Sequence, residues 1–184
     1  MSSIVYRKLE LHEAPLLASI DRSERIDANY RVTDGVLVLE ATEENVWSWD
    51  AGEAASYVAR LKSVLESAGC AFGAWDERRL VGIGSLDASG VGGDGAVMQL
   101  HMLYVDAGYR GRGIGRRLID LSANEARERG ATSLYISAIP TRGTVDAYLS
   151  MGAKLLASPD PELLAREPDD IHLVLKLVGV TEIG

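Results

Sequence analysis

Disulfide-forming residues, long apolar runs and basic charge are all scarce in this sequence. The single cysteine, Cys70, cannot form an intrachain disulfide, so we expect a protein of a reducing, cytoplasmic compartment. No apolar run approaches the roughly 20 residues that span a bilayer, and none of signal-peptide length follows the charged segment at 7–10. Acidic residues outnumber basic ones by 27 to 19, and the resulting net charge of -8 argues against a nucleic-acid partner. The sequence therefore predicts neither a membrane protein nor a nucleic-acid-binding protein.

The rest of the composition is that of an ordinary soluble globular protein. Hydrophobic residues make up 47% of the 184 residues, which suffices for one full core, so we assign 1–184 to a single domain. Hydrophobic periodicity predicts helices at 12–20, 53–67, 113–129 and 142–151. It predicts strands at 4–9, 36–40, 70–75, 80–86, 97–105, 133–139, 154–157 and 171–178. This order is typical of a mixed, largely antiparallel α/β sheet.

A loop rich in glycine and arginine, between a strand and a helix, carries the strongest functional signal. After the predicted strand at 97–105, the sequence RGRGIG at 110–115 opens the next helix. Glycine lets the backbone turn tightly and lets a ligand approach it closely. The first amide groups of a helix have no helical partner and, together with the helix dipole, bind phosphate oxygens. Four arginines, at 110, 112, 116 and 117, surround this turn in an otherwise acidic chain, which indicates an anion site.

Two common phosphate-binding loop motifs do not match the sequence at 110–115. A P-loop requires lysine followed by serine or threonine after its last glycine, and neither follows here. A dinucleotide fingerprint requires G-x-G-x-x-G directly after a strand, whereas Gly111, Gly113 and Gly115 are evenly spaced and come late. The pattern Arg110-x-x-Gly113-x-Gly115 instead resembles the pyrophosphate loop of the GNAT superfamily, the acetyl-CoA-dependent N-acetyltransferases. The alternative interpretation is a basic surface turn that only caps a helix.

A second motif, further along the chain, supports the same resemblance. In the segment TVDAYLSMGA at 144–153, Tyr148 precedes Gly152 by four residues, as in the family's last helix and the strand after it. Two positions depart from the family pattern. Thr141 stands where an asparagine is usual, and Ala153 stands where an aromatic residue is usual. The match therefore rests on the tyrosine more than on the helix cap.

The resemblance covers about 70–177 and implies both a fold and a cofactor. The fold is the GNAT-like acyl-CoA N-acyltransferase fold, a mixed, mostly antiparallel sheet of about seven strands flanked by about four helices. In that fold the strands at 97–105 and 133–139 run parallel and splay apart around acetyl-CoA. No metal ion is expected. The residues that would contact acetyl-CoA are those of the strand end and the loop: Leu103, Tyr104, Val105, Arg110, Gly111, Arg112, Gly113, Ile114, Gly115 and Arg116.

Acetyl transfer to an amine also needs a proton donor for the thiolate and an uncharged amine. By resemblance, Tyr148 is the donor, because a phenol with a pKa near 10 keeps its proton at neutral pH. The position of the family's glutamate base holds Gln99, which cannot accept a proton. His101, two residues further along the strand, is the candidate base. The alternatives are that Tyr148 and His101 only pack in the core and that the amine loses its proton through a water chain.

The acceptor is the least determined part of the prediction. Asp21 and Glu24 lie in the charged segment at 21–27, which is either a solvated helix face or, by resemblance, part of the acceptor groove. Together with Gln99 they are the candidates for contact with the acceptor. The predicted function is acetyl transfer, through a ternary complex, to a primary amine of a small molecule or peptide. A non-catalytic acyl-CoA sensor and a protein-lysine acetyltransferase are the alternatives, and the resemblance also allows a homodimer.

Overall fold

A seven-stranded sheet forms the centre of the computed structural model, which describes residues 3–93 and 95–177. The strands are β1 (Val5–Lys8), β2 (Glu24–Thr33), β3 (Val36–Val46), β4 (Cys70–Asp76), β5 (Arg79–Asp87), β6 (Val97–Val105), β7 (Ser133–Ala138), β8 (Lys154–Leu155) and β9 (Ile171–Lys176). The α-helices are α1 (Ala51–Glu66), α2 (Ile114–Glu128), α3 (Arg142–Ser150) and α4 (Pro161–Arg166). A 3₁₀ helix spans Leu11–Ser19, and a shorter one spans Ala107–Tyr109.

The main sheet has the strand order β1-β4-β5-β6-β7-β9-β8. All neighbouring strands are antiparallel except β6 and β7, which are parallel because α2 connects them as a crossover. The predicted mixed, mostly antiparallel sheet is thus confirmed. Strands β2 and β3 form a separate antiparallel ribbon.

The parallel pair β6–β7 separates after only four residues. Their pairing runs from Val97 opposite Ser133 to Leu100 opposite Ile136, and it stops there although β6 continues to Val105. On its other side β6 is paired with β5 from Gln99 to Val105, except at His101, which a register shift leaves without a partner in β5. Such a bulge kinks a strand and turns it away from its neighbour. The sheet therefore opens into a cleft beyond Leu100.

Helix α2 packs closely on β5 at one wall of this cleft. Its buried face includes Ile114, Leu118, Ile119 and Ala126, at helical spacing. A Cβ atom at Gly82 would lie 3.1 Å from the Ile114 side chain, so the close approach of helix and strand depends on glycine there. This packing fixes the first turn of α2 beside the open end of β6.

On the opposite face of the sheet, α1 and the 3₁₀ helix at 11–19 cover the strands. Leu17 and Leu61 pack there with Ile83 of β5 and Met102 of β6. The N-cap of α1 is Asp50, whose carboxylate accepts a hydrogen bond of 2.8 Å from the Glu53 amide. No helix within residues 3–93 and 95–177 is long and apolar enough to cross a membrane.

The structure corrects two of the sequence-based assignments and extends a third. The segment at 21–27 is not a helix face, because Glu24 begins the ten-residue strand β2. The predicted strand at 36–40 runs on to Val46 as its partner in the ribbon. Residues 161–166, where no helix is predicted from the sequence, form α4. Residue 178, the predicted end of the last strand, lies outside the described residues.

Candidate active site

A cavity of about 520 Å³, here called the main cavity, lies in the cleft between β6 and β7. It is lined by the free end of β6, the loop before α2, the first turns of α2 and α3, and parts of β2 and α1. Strand β2 closes one side because it is tied to α3. The Tyr30 hydroxyl donates to the Asp146 carboxylate at 2.8 Å, and Arg142 pairs with Asp27.

The glycine loop and the first turn of α2 line this cavity. Gly111 and Gly113 have φ of +74° and +77°, a left-handed conformation that residues with a Cβ rarely adopt. Gly113 is the N-cap and offers no side chain to the helix. The first helical hydrogen bond runs from the Arg117 amide to the Gly113 carbonyl at 3.0 Å, which leaves the amides of residues 114–116 without helical partners. Free amides and the positive end of a helix dipole attract anions, so we call the amides of residues 114–116 the anion cradle.

Two of the three arginines expected at the cradle donate hydrogen bonds to backbone carbonyls, although one of them, Arg110, also lines the main cavity. The Arg110 guanidinium donates to the carbonyls of Val105, Ser23 and Arg22 at 3.0–3.2 Å, so it ties the loop to the segment before β2. Arg112 donates to the Gly108 carbonyl at 2.9 Å and does not line the main cavity.

Arg116 lines the main cavity, is exposed, and forms no ion pair within the described part of the chain. It is the member of the group whose guanidinium remains available to an anion.

Tyr148 projects from α3 into the same cavity that the cradle faces. The residue is only 7% exposed, and its hydroxyl makes no hydrogen bond to any described residue. Burial raises the pKa of its phenol, and the nearby charge of Asp170 raises it further. The phenol is therefore protonated at any physiological pH.

His101 lies at the bulge of β6 and also lines the main cavity. Its Nδ1 atom is 3.5 Å from the Ser85 hydroxyl oxygen. Burial, with a contribution from the charge of Arg60, lowers the pKa of this imidazole to about 4. The ring is neutral at pH 7, but a group with so low a pKa is a weak proton acceptor.

The structure brings one of the three candidate acceptor residues into the main cavity. Glu24, at the start of β2, lines it, and its carboxylate takes part in no ion pair among residues 3–93 and 95–177. Asp21 lies outside the lining, where its carboxylate accepts from the Ser23 amide at 2.9 Å and so stabilises a local turn. Gln99 lines a second, smaller cavity of about 150 Å³ beside Asp87 and Asp160.

Sequence reasoning missed several polar residues that line the main cavity. Arg60 of α1 pairs with Glu167 at 3.0 Å, just after α4. Asp170, just before β9, lines the cavity too, and burial together with the charges of Glu167 and Asp169 raises the pKa of its carboxyl to about 6. The hydroxyl oxygen of Ser137, at the open end of β7, is buried without a hydrogen-bond partner. No local motif marks these positions, since long-range pairing brings them together.

Aromatic side chains form the wall between α1 and β6. Tyr57 and Tyr104 line the main cavity, and each packs against Trp49 with ring centroids 5.1 Å apart. Trp49 also donates to the Ile20 carbonyl at 2.8 Å, as expected of a packing residue. Trp47, by contrast, is 78% exposed. Across the described residues, no cluster of three His, Cys, Asp or Glu side chains has the geometry to hold a metal ion.

Solved structures of acetyltransferases share this fold. A nourseothricin acetyltransferase superposes with a TM-score of 0.74 at 22% identity, over 96% of this chain and 100% of that one. PaiA N-acetyltransferase from Thermoplasma acidophilum, solved in complex with coenzyme A, superposes with a TM-score of 0.62 at 16% identity, over 95% of this chain and 99% of that one. Aminoglycoside 6′-acetyltransferase type Ii superposes with a TM-score of 0.65 at 17% identity, over 95% of this chain and 98% of that one. A search of curated protein sequences finds no match.

The sequence itself matches the model of the acetyltransferase (GNAT) family over residues 37–153, well over half of the 184 residues. This region contains both motifs on which the resemblance was predicted, the loop before α2 and the segment around Tyr148. The match and the shared fold confirm that prediction. The chain belongs to the GNAT family, the acetyl-CoA-dependent N-acetyltransferases.

Proposed function

We propose that the protein transfers the acetyl group of acetyl-CoA directly to a primary amine of a cationic small molecule. The observation that carries the proposal is that one cavity joins the anion cradle of α2 to the Tyr148 phenol. The cradle supplies the site for a diphosphate, and the phenol supplies a proton some distance along the same cleft. Both are required when a thioester of coenzyme A delivers its acyl group.

The cofactor half of the cavity suits the diphosphate and the pantetheine arm. The free amides of residues 114–116 donate to phosphate oxygens, and a charge at a helix N-terminus is stabilised by about 0.3–1 kcal/mol, rising to about 2 when it is partly buried. Arg116 adds a cation beside them. Beyond the cradle, the open edge of β6 and the unsatisfied Ser137 hydroxyl offer hydrogen bonds to the amide groups of the arm.

The reaction centre lies where β6 has no partner in β7. In our proposal, a backbone amide near residues 103–105 donates to the thioester oxygen as negative charge develops there. One such donor is typically worth about 2.7–4 kcal/mol. Tyr148 then protonates the departing thiolate, which its raised pKa allows because the phenol keeps its proton until that step.

The acceptor half of the cavity carries uncompensated negative charge. Its two arginines are already paired, Arg22 with Glu53 and Arg60 with Glu167. Glu24 and Asp170 line the same space without an ion pair in the described structure. Two unpaired carboxylates favour an acceptor that carries ammonium groups. Two of the structural neighbours are named for antibiotics, nourseothricin and the aminoglycosides, and this supports a small-molecule acceptor.

The test is a turnover screen that follows release of free CoA thiol, with product identified by mass spectrometry. The amines are nourseothricin, an aminoglycoside with a free 6′-amine, and a lysine-containing peptide. We expect acetylation of at least one cationic small molecule, faster than of the peptide. Preference for the peptide would favour the protein-lysine alternative. CoA binding without turnover of any amine would favour the sensor and contradict the proposal.

A further inference from the structure

Asp170 lines the main cavity from a fixed position in the backbone. It ends the turn between α4 and β9, where its amide donates to the Glu167 carbonyl at 3.3 Å. The next residue, Ile171, is buried and pairs with Ala138 at the end of β7. The backbone on both sides of Asp170 is thereby anchored, and the half-buried carboxylate is held in the cavity that also contains the Tyr148 hydroxyl.

Of the two acidic residues in the segment 167–170 that line the main cavity, Glu167 and Asp170, only Asp170 has no side-chain partner in the described part of the chain. Glu167, also in the lining, is neutralised by Arg60. Asp170 forms no ion pair and accepts no hydrogen bond at its side chain anywhere in residues 3–93 and 95–177. A partly buried, unpaired carboxylate costs stability, so its presence is explained if the cavity's occupant supplies the missing partner.

We propose that the Asp170 carboxylate accepts the proton that the acceptor's ammonium group must lose before it can attack the thioester. The inference rests on the function proposed above and assigns the base that the β6 sequence lacks. Asp170 is thus a catalytic residue, in contact with the reacting nitrogen when the acceptor is bound.

The proton and electron balance of the reaction closes with the residues present. The ammonium proton passes to Asp170, and the nitrogen lone pair forms the new N–C bond at the carbonyl carbon. The C–S bond then breaks, the sulfur leaves with the electron pair, and the Tyr148 hydroxyl protonates it. The tyrosinate takes one of the two protons that the acylated nitrogen still carries, which leaves the amide N–H of the product, and Asp170 releases its own proton to water.

The charges around Asp170 suit this role better than those around His101. Burial is the main cause that raises the pKa of the Asp170 carboxyl to about 6; Glu167 and Asp169, on its own segment, raise it further, and Arg60 from α1 lowers it. Tyr148, facing it from α3, is neutral. A base is most effective when its pKa is near the working pH, so this carboxylate is better matched than an imidazole with a pKa of about 4.

The experiment compares Asp170→Asn with Asp169→Asn, with nourseothricin and the 6′-amine aminoglycoside as acceptors. Asp169 is exposed and lies outside the cavity lining, so it is a matched neighbour. Wild-type kcat/KM should rise with pH through an apparent pKa near 6, since the base is active when deprotonated. Asp170→Asn should lower kcat/KM at pH 7 by about 100-fold and abolish that bend. Asp169→Asn should keep the rate at pH 8 and move the bend to lower pH.

The outcomes separate this inference from the proposed function. Circular dichroism and CoA binding establish that each variant is folded. If Asp170→Asn turns over within twofold of the wild-type rate and keeps the bend, the role of Asp170 is overturned, but the proposed function is not. Absence of wild-type turnover with every amine tested overturns the proposed function, and the role of Asp170 with it. A bend that Asp169→Asn does not move contradicts the assignment of the bend to Asp170.

Discussion

Replacing Gly113 by alanine tests whether the backbone geometry of the loop, more than its positive charge, binds the cofactor. Gly113 is the N-cap of α2 and has φ of +77°. Apart from the glycine and its two chain neighbours, no residue has an atom within 4 Å of the position that a Cβ would take, so the substitution adds no clash with the surrounding structure. Its cost is the left-handed backbone conformation alone, about 1–2 kcal/mol for a residue with a Cβ. For a chain of this size that lowers Tm by about 2–8 °C.

A matched control lies at the other end of the same helix. Gly130 has φ of +90° and likewise has open space around its Cβ position, but it does not line the main cavity. Gly130→Ala should therefore lower Tm by a similar amount. If the Gly113→Ala backbone relaxes to negative φ, the amides of residues 114–116 turn away from the diphosphate. Loss of one hydrogen bond to a charged group, about 1.5–3 kcal/mol, weakens binding about tenfold or more.

The assay is isothermal titration calorimetry with CoA on wild-type protein and both variants. We expect at least a tenfold higher Kd for Gly113→Ala and a change within twofold for Gly130→Ala. Gly113→Asn should fall between wild type and Gly113→Ala, because asparagine adopts the left-handed conformation more readily than alanine. The reasoning is refuted if both alanine variants lose stability equally while Gly113→Ala binds CoA as tightly as wild type.

Three further predictions concern the reaction centre. Tyr148→Phe should lower kcat at least tenfold and leave the calorimetric Kd for CoA unchanged; unchanged turnover would remove Tyr148 from the mechanism. Asp170→Asn should raise Tm at pH 8 and lose this advantage as pH falls from 6 toward 4, because the native carboxyl, with a pKa raised from 3.8 to about 6, loses its costly charge in that range. A calorimetric Tm that is equal to wild type at pH 8 would contradict the burial of an unpaired charge. His101→Gln should leave the shape of the pH–rate profile unaltered, because the imidazole, with a pKa of about 4, is already neutral around the bend near pH 6. Loss of that bend would instead identify His101 as the base.

The parts of the fold that sequence predicted well are those where local pattern and burial agree. Strands β4, β5 and β6 read as apolar runs because both faces of the sheet centre are covered. The loop before α2 was recognisable because the glycines at positive φ and the start of an amphipathic helix lie within a few residues. The expected splay of β6 from β7 is present, and His101 sits at the bulge that accompanies it.

Strand β2 was misread because its charged side chains pair with those of β3 and do not form a helix face, whereas the strand predicted at 36–40 is confirmed as the first part of β3. Only Ile26 and Ala28 of β2 are buried, while Arg25 pairs with Glu43 and Arg31 with Glu40 across the two strands. Alternation with so few buried positions gives no clear period of two or of 3.6. The two strands pair with each other across the turn at residues 34–35, and only the position of β2 beside α3 depends on long-range contacts.

The acceptor half of the site could not be predicted for a related reason. Asp170 reaches Tyr148 because β9 pairs with β7, and Arg60 reaches Glu167 from a distant helix. These neighbours are set by the strand order and not by spacing along the chain. Likewise, the low pKa of His101 follows from burial, which is invisible in the alternation of β6. For this reason the sequence pointed to His101 on β6 as the candidate base, whereas the structure leads us to propose Asp170, just before β9.

In our proposal, the first turn of α2 binds the diphosphate of coenzyme A. A crystal structure of the wild-type protein soaked with CoA tests it most directly. The account predicts phosphate oxygens within hydrogen-bond distance of the amides of residues 114–116, with the thiol directed along the open edge of β6 toward the Tyr148 hydroxyl. A bound diphosphate elsewhere, or a thiol pointing away from Tyr148, would contradict it.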